Sequence, residues 1–130
     1  IRDGGVAAAD FEQSTMGPAA FDLATLLYSP EADLVDAEVA ELLDAYHDLL
    51  PQGTPAMYTV RPETLEAAAI VKLLFYAGSA ANFYRRFDDT RRLDAMDWYL
   101  RTADRLLLHR RDYYPLAETI RRYWRRPAAV

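Results

Sequence analysis

The spacing of apolar residues along the chain predicts a helical protein. Between positions 33 and 50, and again between 91 and 110, apolar side chains recur every three or four residues. This is the period of one face of an α-helix. Applied to the whole chain, the pattern predicts helices at about residues 18–28, 33–50, 62–87, 91–110 and 113–124.

The third of these predicted helices differs from the others, because residues 67–81 are apolar almost all the way round. A helix of this kind is typically the buried axis of a bundle. Gly78 and Ser79 are small enough to let a neighbouring helix approach closely. Lys72, which is the sole lysine, lies inside this apolar run.

The first ten residues have a different pattern, which predicts a β-hairpin. Asp3-Gly4-Gly5 is a turn signal, since glycine accepts the positive φ that tight hairpin turns require. We therefore expect a mainly α fold, with a short β-hairpin followed by a bundle of about five helices. Residues 1–130 form one predicted domain, in which 1–17 are the hairpin with the loop that follows it and 18–130 are a helical subdomain.

Composition narrows the functional classes. The 130 residues include no cysteine, which excludes disulfides and thiolate metal sites and makes a cytoplasmic location the default. No charge-free apolar stretch reaches membrane-spanning length, and no signal-peptide pattern opens the chain, so we expect no membrane association. The arginine pairs, such as Arg85-Arg86, alternate with acids along the helices, which favours solvated helix faces over nucleic-acid binding.

Two acids flank the start of the first predicted helix. Asp10 follows a short apolar run, and Asp22 lies in the first turns of the helix that begins after Gly17-Pro18. Pro18 suits this place, because a backbone N–H in the first turn of a helix has no partner within the helix, so the N–H that proline lacks is not needed. The two carboxylates could therefore serve one site.

The sequence around these acids resembles the metal-binding segment of the aminoglycoside phosphotransferase family. The resemblance consists of Asp10-Phe11-Glu12, then Gly17-Pro18, then Phe21-Asp22-Leu23-Ala24-Thr25-Leu26-Leu27. That family has a protein-kinase-like fold and includes bacterial amino-sugar kinases that act on N-acetylmuramate and N-acetylglucosamine. The resemblance is specific over residues 2–28 and only architectural beyond them.

The resemblance implies a role for each acid. Asp10 would hold Mg²⁺ against the ATP phosphates, which suits a hard cation that prefers oxygen ligands. Asp22 would be the buried helix acid that braces the catalytic loop, and the loop before it, within residues 1–17, would be the metal-binding loop. The structural alternatives are that Asp10 merely ends a strand and that Asp22 interacts with the positive end of the helix dipole.

Other kinase parts are missing from the sequence. Phosphotransfer needs a phosphate-covering loop, a nucleotide-binding lysine, and a catalytic Asp with an Asn downstream. The five glycines form no Gly-rich loop, and Asn82, the sole asparagine, lies far downstream. We therefore expect a C-terminal piece of a kinase that itself contains no catalytic residue and binds no ATP tightly.

In the intact parent we expect ATP and Mg²⁺ as cofactors and a sugar, amino sugar or aminoglycoside as acceptor. The expected partner of this chain is the missing N-terminal part of the same kinase or a second copy of the chain. The alternative is a non-catalytic helical interaction module or a degenerate kinase remnant.

Overall fold

The computed structural model describes residues 18–110 and 114–123. Within them the chain forms helices α1 (Ala19–Leu27), α2 (Asp36–Leu49), a short 3₁₀ helix (Ala56–Tyr58), α3 (Pro62–Phe87), α4 (Arg91–Leu108) and α5 (Tyr114–Tyr123). The predicted helical bundle is confirmed. The 3₁₀ helix was not predicted.

The expected fold class was wrong in its β part. Every regular element in residues 18–110 and 114–123 is a helix, and these residues contain no strand. The segment for which the hairpin was predicted, residues 1–10, lies outside the described residues. That prediction relied on a turn signal, and the three alanines that follow the turn have low strand propensity. The described fold is all-α.

Helix α3 is the longest element and organises the bundle. Its 26 residues span about 39 Å at the usual helical rise, and Pro62 occupies its first turn. Helices α1 and α4 both pack against it. Its inner face is fully buried at Leu65 and Leu73, which are each 1% exposed.

The outer face of α3 is exposed, whereas the sequence predicted a helix that is buried on almost all sides. Val71 is 57% exposed and Phe75 is 68% exposed, so an apolar stripe faces away from the other described helices. By length and composition alone α3 could also cross a membrane. Core helices of soluble proteins meet the same criterion, and the expectation of no membrane association stays a prediction.

One main core joins four helices. Its buried members include Ala24 and Leu27 of α1, Val39 and Leu43 of α2, Leu65, Ala69 and Leu73 of α3, and Ala103, Leu106 and Leu107 of α4. A smaller cluster of Ala77, Ala80 and Met96 joins the C-terminal half of α3 to the start of α4. The small side chains on α3 allow α4 to approach closely along this second contact.

Helix α2 begins three residues later than predicted because the chain turns at Asp33. This residue has a φ of 44°, in the left-handed region, and its N–H donates to the Ser29 carbonyl at 3.0 Å. The Trp98 indole N–H of α4 donates to Asp33 Oδ1 at 3.2 Å. The turn between α1 and α2 is therefore attached to α4.

The loop after α2 is attached to that helix by two side chains. The Tyr46 hydroxyl donates to the Tyr58 carbonyl at 2.7 Å, and His47 Nε2 accepts the Val60 N–H at 3.3 Å. His47 is half-buried, and its ring has a structural contact. Val60 is buried in the main core, so these bonds connect α2 to the start of α3.

Helix α3 ends at Asp88, whose φ of 52° places it in the left-handed region. Its N–H donates to the Tyr84 carbonyl at 2.8 Å, which closes the helix. Glycine adopts this conformation without the steric cost that a Cβ incurs.

We expect Asp88→Gly to stabilise the fold by roughly 0.5–1 kcal/mol. Relief of about 1–2 kcal/mol of left-handed strain should exceed the extra unfolded-state entropy of glycine, about 0.4–1 kcal/mol. Urea unfolding measures the change. Arg85→Gly, inside the same helix, is the matched control and should lose about 1 kcal/mol. A loss of the same size from both variants would contradict the role assigned to Asp88.

Candidate functional site

The candidate site lies at the N-terminal end of α1. Pro18 precedes the helix in an extended conformation, and its carbonyl accepts the Phe21 N–H at 3.0 Å. Ala20 and Ala24 bury one side of α1 in the core. Asp22, which the resemblance implies to be buried, lies in the first turn and is exposed. The helix thus holds its acidic side chain on a platform that is fixed by packing.

The carboxylate of Asp22 is open to partners from elsewhere. None of the described residues forms a hydrogen bond or an ion pair with it. Asp10, the predicted metal ligand, lies outside the described residues, so the predicted pairing of the two acids stays a prediction. The first turn of α1 also favours a negative charge, through the helix dipole, by about 0.3–1 kcal/mol.

A cation from another helix lies beside this end of α1. Nothing in the sequence indicates that the two meet. Lys72 Nζ of α3 is 5.9 Å from the centre of the Phe21 ring. A cation over an aromatic face is stabilised by about 0.5–1 kcal/mol at exposed sites. Only the packing of α1 on α3 brings the two residues together, since they are far apart along the chain.

A metal site does not form from the described residues alone. In residues 18–110 and 114–123 no group of three or more His, Cys, Asp or Glu side chains is arranged to hold a metal ion. Kinase metals need few protein ligands, because phosphate oxygens and water supply the rest. Asp22 offers an oxygen ligand of the right chemistry, and any second carboxylate must come from outside the described residues.

The other end of α1 carries a second group of polar side chains. Tyr28 ends the helix and is 7% exposed. Burial raises the pKa of its hydroxyl to about 12, with further contributions from the Glu66 and Asp36 carboxylates, while Arg105 opposes them. Arg105 Nη1 and Asp36 Oδ1 form an ion pair at 3.3 Å. Nothing in the sequence indicates that these four residues form a group.

Tyr28 also borders a cavity that two further tyrosines line. Tyr76 of α3 and Tyr99 of α4 have ring centres 5.6 Å apart, and both line a cavity of about 210 Å³ beside Tyr28. Burial, and then the nearby Glu31 carboxylate, raise the pKa of Tyr99. No spacing in the sequence indicates that these two tyrosines meet.

The described fold places the chain in the broad class of all-helical bundle proteins. Comparison with known proteins found no match, whether with protein-family models, curated proteins or solved structures. The resemblance to aminoglycoside phosphotransferases therefore depends on the motif around Asp10 and Asp22, and it stays a prediction.

The raised pKa of Tyr28 predicts a loss of stability at high pH. An unfolded tyrosine ionises near 10.0, whereas Tyr28 in the fold keeps its proton until about 12. Between these values the folded state binds more protons, so stability falls as pH rises and is unaffected below pH 10. The loss should be on the order of 2 kcal/mol.

Urea unfolding of the wild type and of Tyr28→Phe at pH 8 to 12 isolates this effect, because the variant has no ionisable group there. We expect the stability difference between them to shift in favour of Tyr28→Phe above pH 10. A difference that stays constant with pH would contradict the burial of the hydroxyl.

Proposed function

We propose that the chain is the C-terminal, metal-binding and substrate-binding part of a small-molecule kinase. The intact enzyme would transfer the γ-phosphate of ATP to a hydroxyl of a sugar, amino sugar or aminoglycoside. The observation that carries this proposal is the position of Asp22. It lies in the first turn of a helix that follows Gly17-Pro18 in the sequence, in the order of the motif.

The packing of α1 supports a bracing role for Asp22. A helix of nine residues is marginal in water by itself, so its position is set by burial of Ala20, Ala24 and Leu27 against the other helices. An acid on such a platform can hold a loop from another part of the protein in one orientation. A carboxylate that accepts backbone N–H groups is well suited to that task.

The expected metal suits the two acids, because Mg²⁺ prefers oxygen ligands such as carboxylates. Mg²⁺, when bound, would bridge and neutralise the ATP phosphate oxygens. Asp10 would hold the metal, and Asp22 would keep the catalytic loop of the parent in place. The acceptor would lie against the helical part, whose acidic α2 suits cationic as well as neutral sugars.

Exposed apolar side chains support the expected partner. Leu26 of α1 is 67% exposed, and Val71 and Phe75 of α3 form the outer apolar stripe. Large apolar patches on soluble proteins commonly mark contacts with other protein surfaces. The missing N-terminal part of the kinase, or a second copy of the chain, would cover them. The non-catalytic interaction module is the alternative that this observation also favours.

The direct test is ATP-dependent phosphorylation by the full gene product that contains these residues, across a panel of sugars, amino sugars and aminoglycosides. Asp10→Asn should abolish turnover, because the metal loses its ligand. Asp22→Asn should lower kcat by about 10–100-fold, as is usual when a group that orients catalytic residues is removed. ADP release and Mg·ATP binding are measured together.

The matched control is Glu118→Gln, which neutralises an exposed acid of α5 and should leave kcat unchanged. If Asp22→Asn changes only stability, by about 0.3–1 kcal/mol, Asp22 merely complements the helix dipole. If the full gene product neither binds Mg·ATP nor releases ADP with any acceptor, the kinase proposal is wrong and the interaction module remains.

A further inference from the structure

One side of α2 exposes apolar side chains to solvent. Glu38, Leu42, Ala45 and Leu49 are all exposed and follow one another at intervals of four, three and four residues, so they share one side of the helix. Leu42 is 45% exposed and Leu49 is 82% exposed. We refer to these four residues as the α2 face.

The outer side of α3 repeats this spacing. Val71, Phe75, Gly78 and Asn82 are exposed and again follow one another at intervals of four, three and four residues. We refer to them as the α3 face. A Cβ added at Gly78 would meet no atom within 4 Å, so no described residue of another element covers the middle of this face. Both faces have the same number of residues and span about 16 Å along the helix axis.

The α2 face lies in an acidic helix. Residues 36–49 include Asp36, Glu38, Glu41, Asp44 and Asp48 and contain neither lysine nor arginine. Glu41 and Asp48 are exposed and lie within one turn of Ala45, so both adjoin the α2 face. No described residue forms an ion pair with either carboxylate. The surroundings of the α2 face are therefore negative.

The α3 face has the opposite charge. Residues 67–87 contain no acid, and their only charged side chains are Lys72, Arg85 and Arg86. Lys72 lies one turn from Phe75, and both arginines lie one turn from Asn82, so the cations adjoin the two ends of the α3 face. No described residue forms an ion pair with Arg85 or Arg86.

We propose that the chain associates with a second copy of itself, so that the α2 face of one copy packs along the α3 face of the other. The leucines of the α2 face lose contact with water against Val71 and Phe75. The small residues Ala45 and Gly78, at the same place in each face, let the two helices approach closely. The acids beside the α2 face then lie opposite the cations beside the α3 face, which favours this pairing.

A second copy is the occupant that matches each face in spacing, length and charge. Both faces are exposed in the same copy, so one copy does not cover its own faces. Like faces repel, because two α2 faces bring acids together and two α3 faces bring cations together. The contact therefore joins different faces, as in a reciprocal pair or an open chain of copies.

This inference does not rest on the kinase proposal. It selects the second copy, one of the two partners named for the intact kinase, from charge and spacing alone. Sedimentation reports association and ADP release reports phosphotransfer, so each proposal can fail while the other stands.

Sedimentation velocity of the 130-residue chain between about 1 and 300 µM measures the association. We expect the mean mass to rise with concentration. The rise should be smaller in 1 M salt, where charges are screened beyond about 3 Å.

A mixture of two variants tests which faces meet. Leu42→Lys places a cation on the α2 face, and Phe75→Glu places an acid on the α3 face. Each variant alone should associate at least about tenfold more weakly than the wild type, because its altered face meets charge of the same sign. Their equimolar mixture should associate at least about tenfold more tightly than either alone, since one variant keeps its α3 face and the other keeps its α2 face.

Leu108→Lys is the matched control, because it alters a leucine that is 57% exposed outside both faces, and it should associate as the wild type does. Leu49→Lys and Val71→Glu repeat the mixing test if either first variant fails to fold. The proposal is overturned if the wild type stays monomeric up to about 300 µM, if the control weakens association as much as the face variants do, or if the mixture associates no better than its components.

Discussion

Burial of the inner face of α3 is the interaction on which the rest of the structure depends. Leu65 and Leu73 lose almost all contact with water, and burial of such a side chain contributes about 1.5–3 kcal/mol. Helices α1 and α4 pack against this helix from their own buried stripes. Helix α1 is too short to persist without it, so the positions of Asp22 and Tyr28 both follow from this packing.

Side-chain bonds to the connecting loops then fix the position of α2 around this core. Tyr46 and His47 bind the loop that leads into α3, and Trp98 binds the turn before α2. A cavity beside Tyr28 is lined by residues of α2, the start of α3 and the end of α4.

Much of this fold could be predicted from the sequence, because it depends on local periodicity. The stripes of α2 and α4 have a clear helical period, and Pro62 and Asp88 lie at the two ends of α3. The hairpin was predicted from a turn signal without evidence that two strands pair, and in the described residues the fold is all-helical. The exposed outer face of α3 was missed because an apolar pattern does not say which sides a helix covers.

The two groups of polar side chains at the ends of α1 were predictable to different degrees. Asp22 was found because its neighbours form a recognisable local motif. The cavity group of Tyr28, Asp36, Asp44 and Glu66 comes from α1, α2 and α3, and no spacing in the sequence indicates that these residues meet. Groups of this second kind depend on tertiary contacts, and only the structure reveals them.

We propose that the start of α1 forms part of a metal–nucleotide site, and paramagnetic broadening tests this most directly. Mn²⁺ replaces Mg²⁺ in the full gene product with ATP present, and amide signals are recorded by NMR. We expect strong, ATP-dependent broadening at Phe21 and Asp22, while Phe87, which lies about 22 Å further along α3 than Lys72, is affected much less. Weak broadening at Phe21 and Asp22, or broadening that is the same with and without ATP, would contradict this proposal.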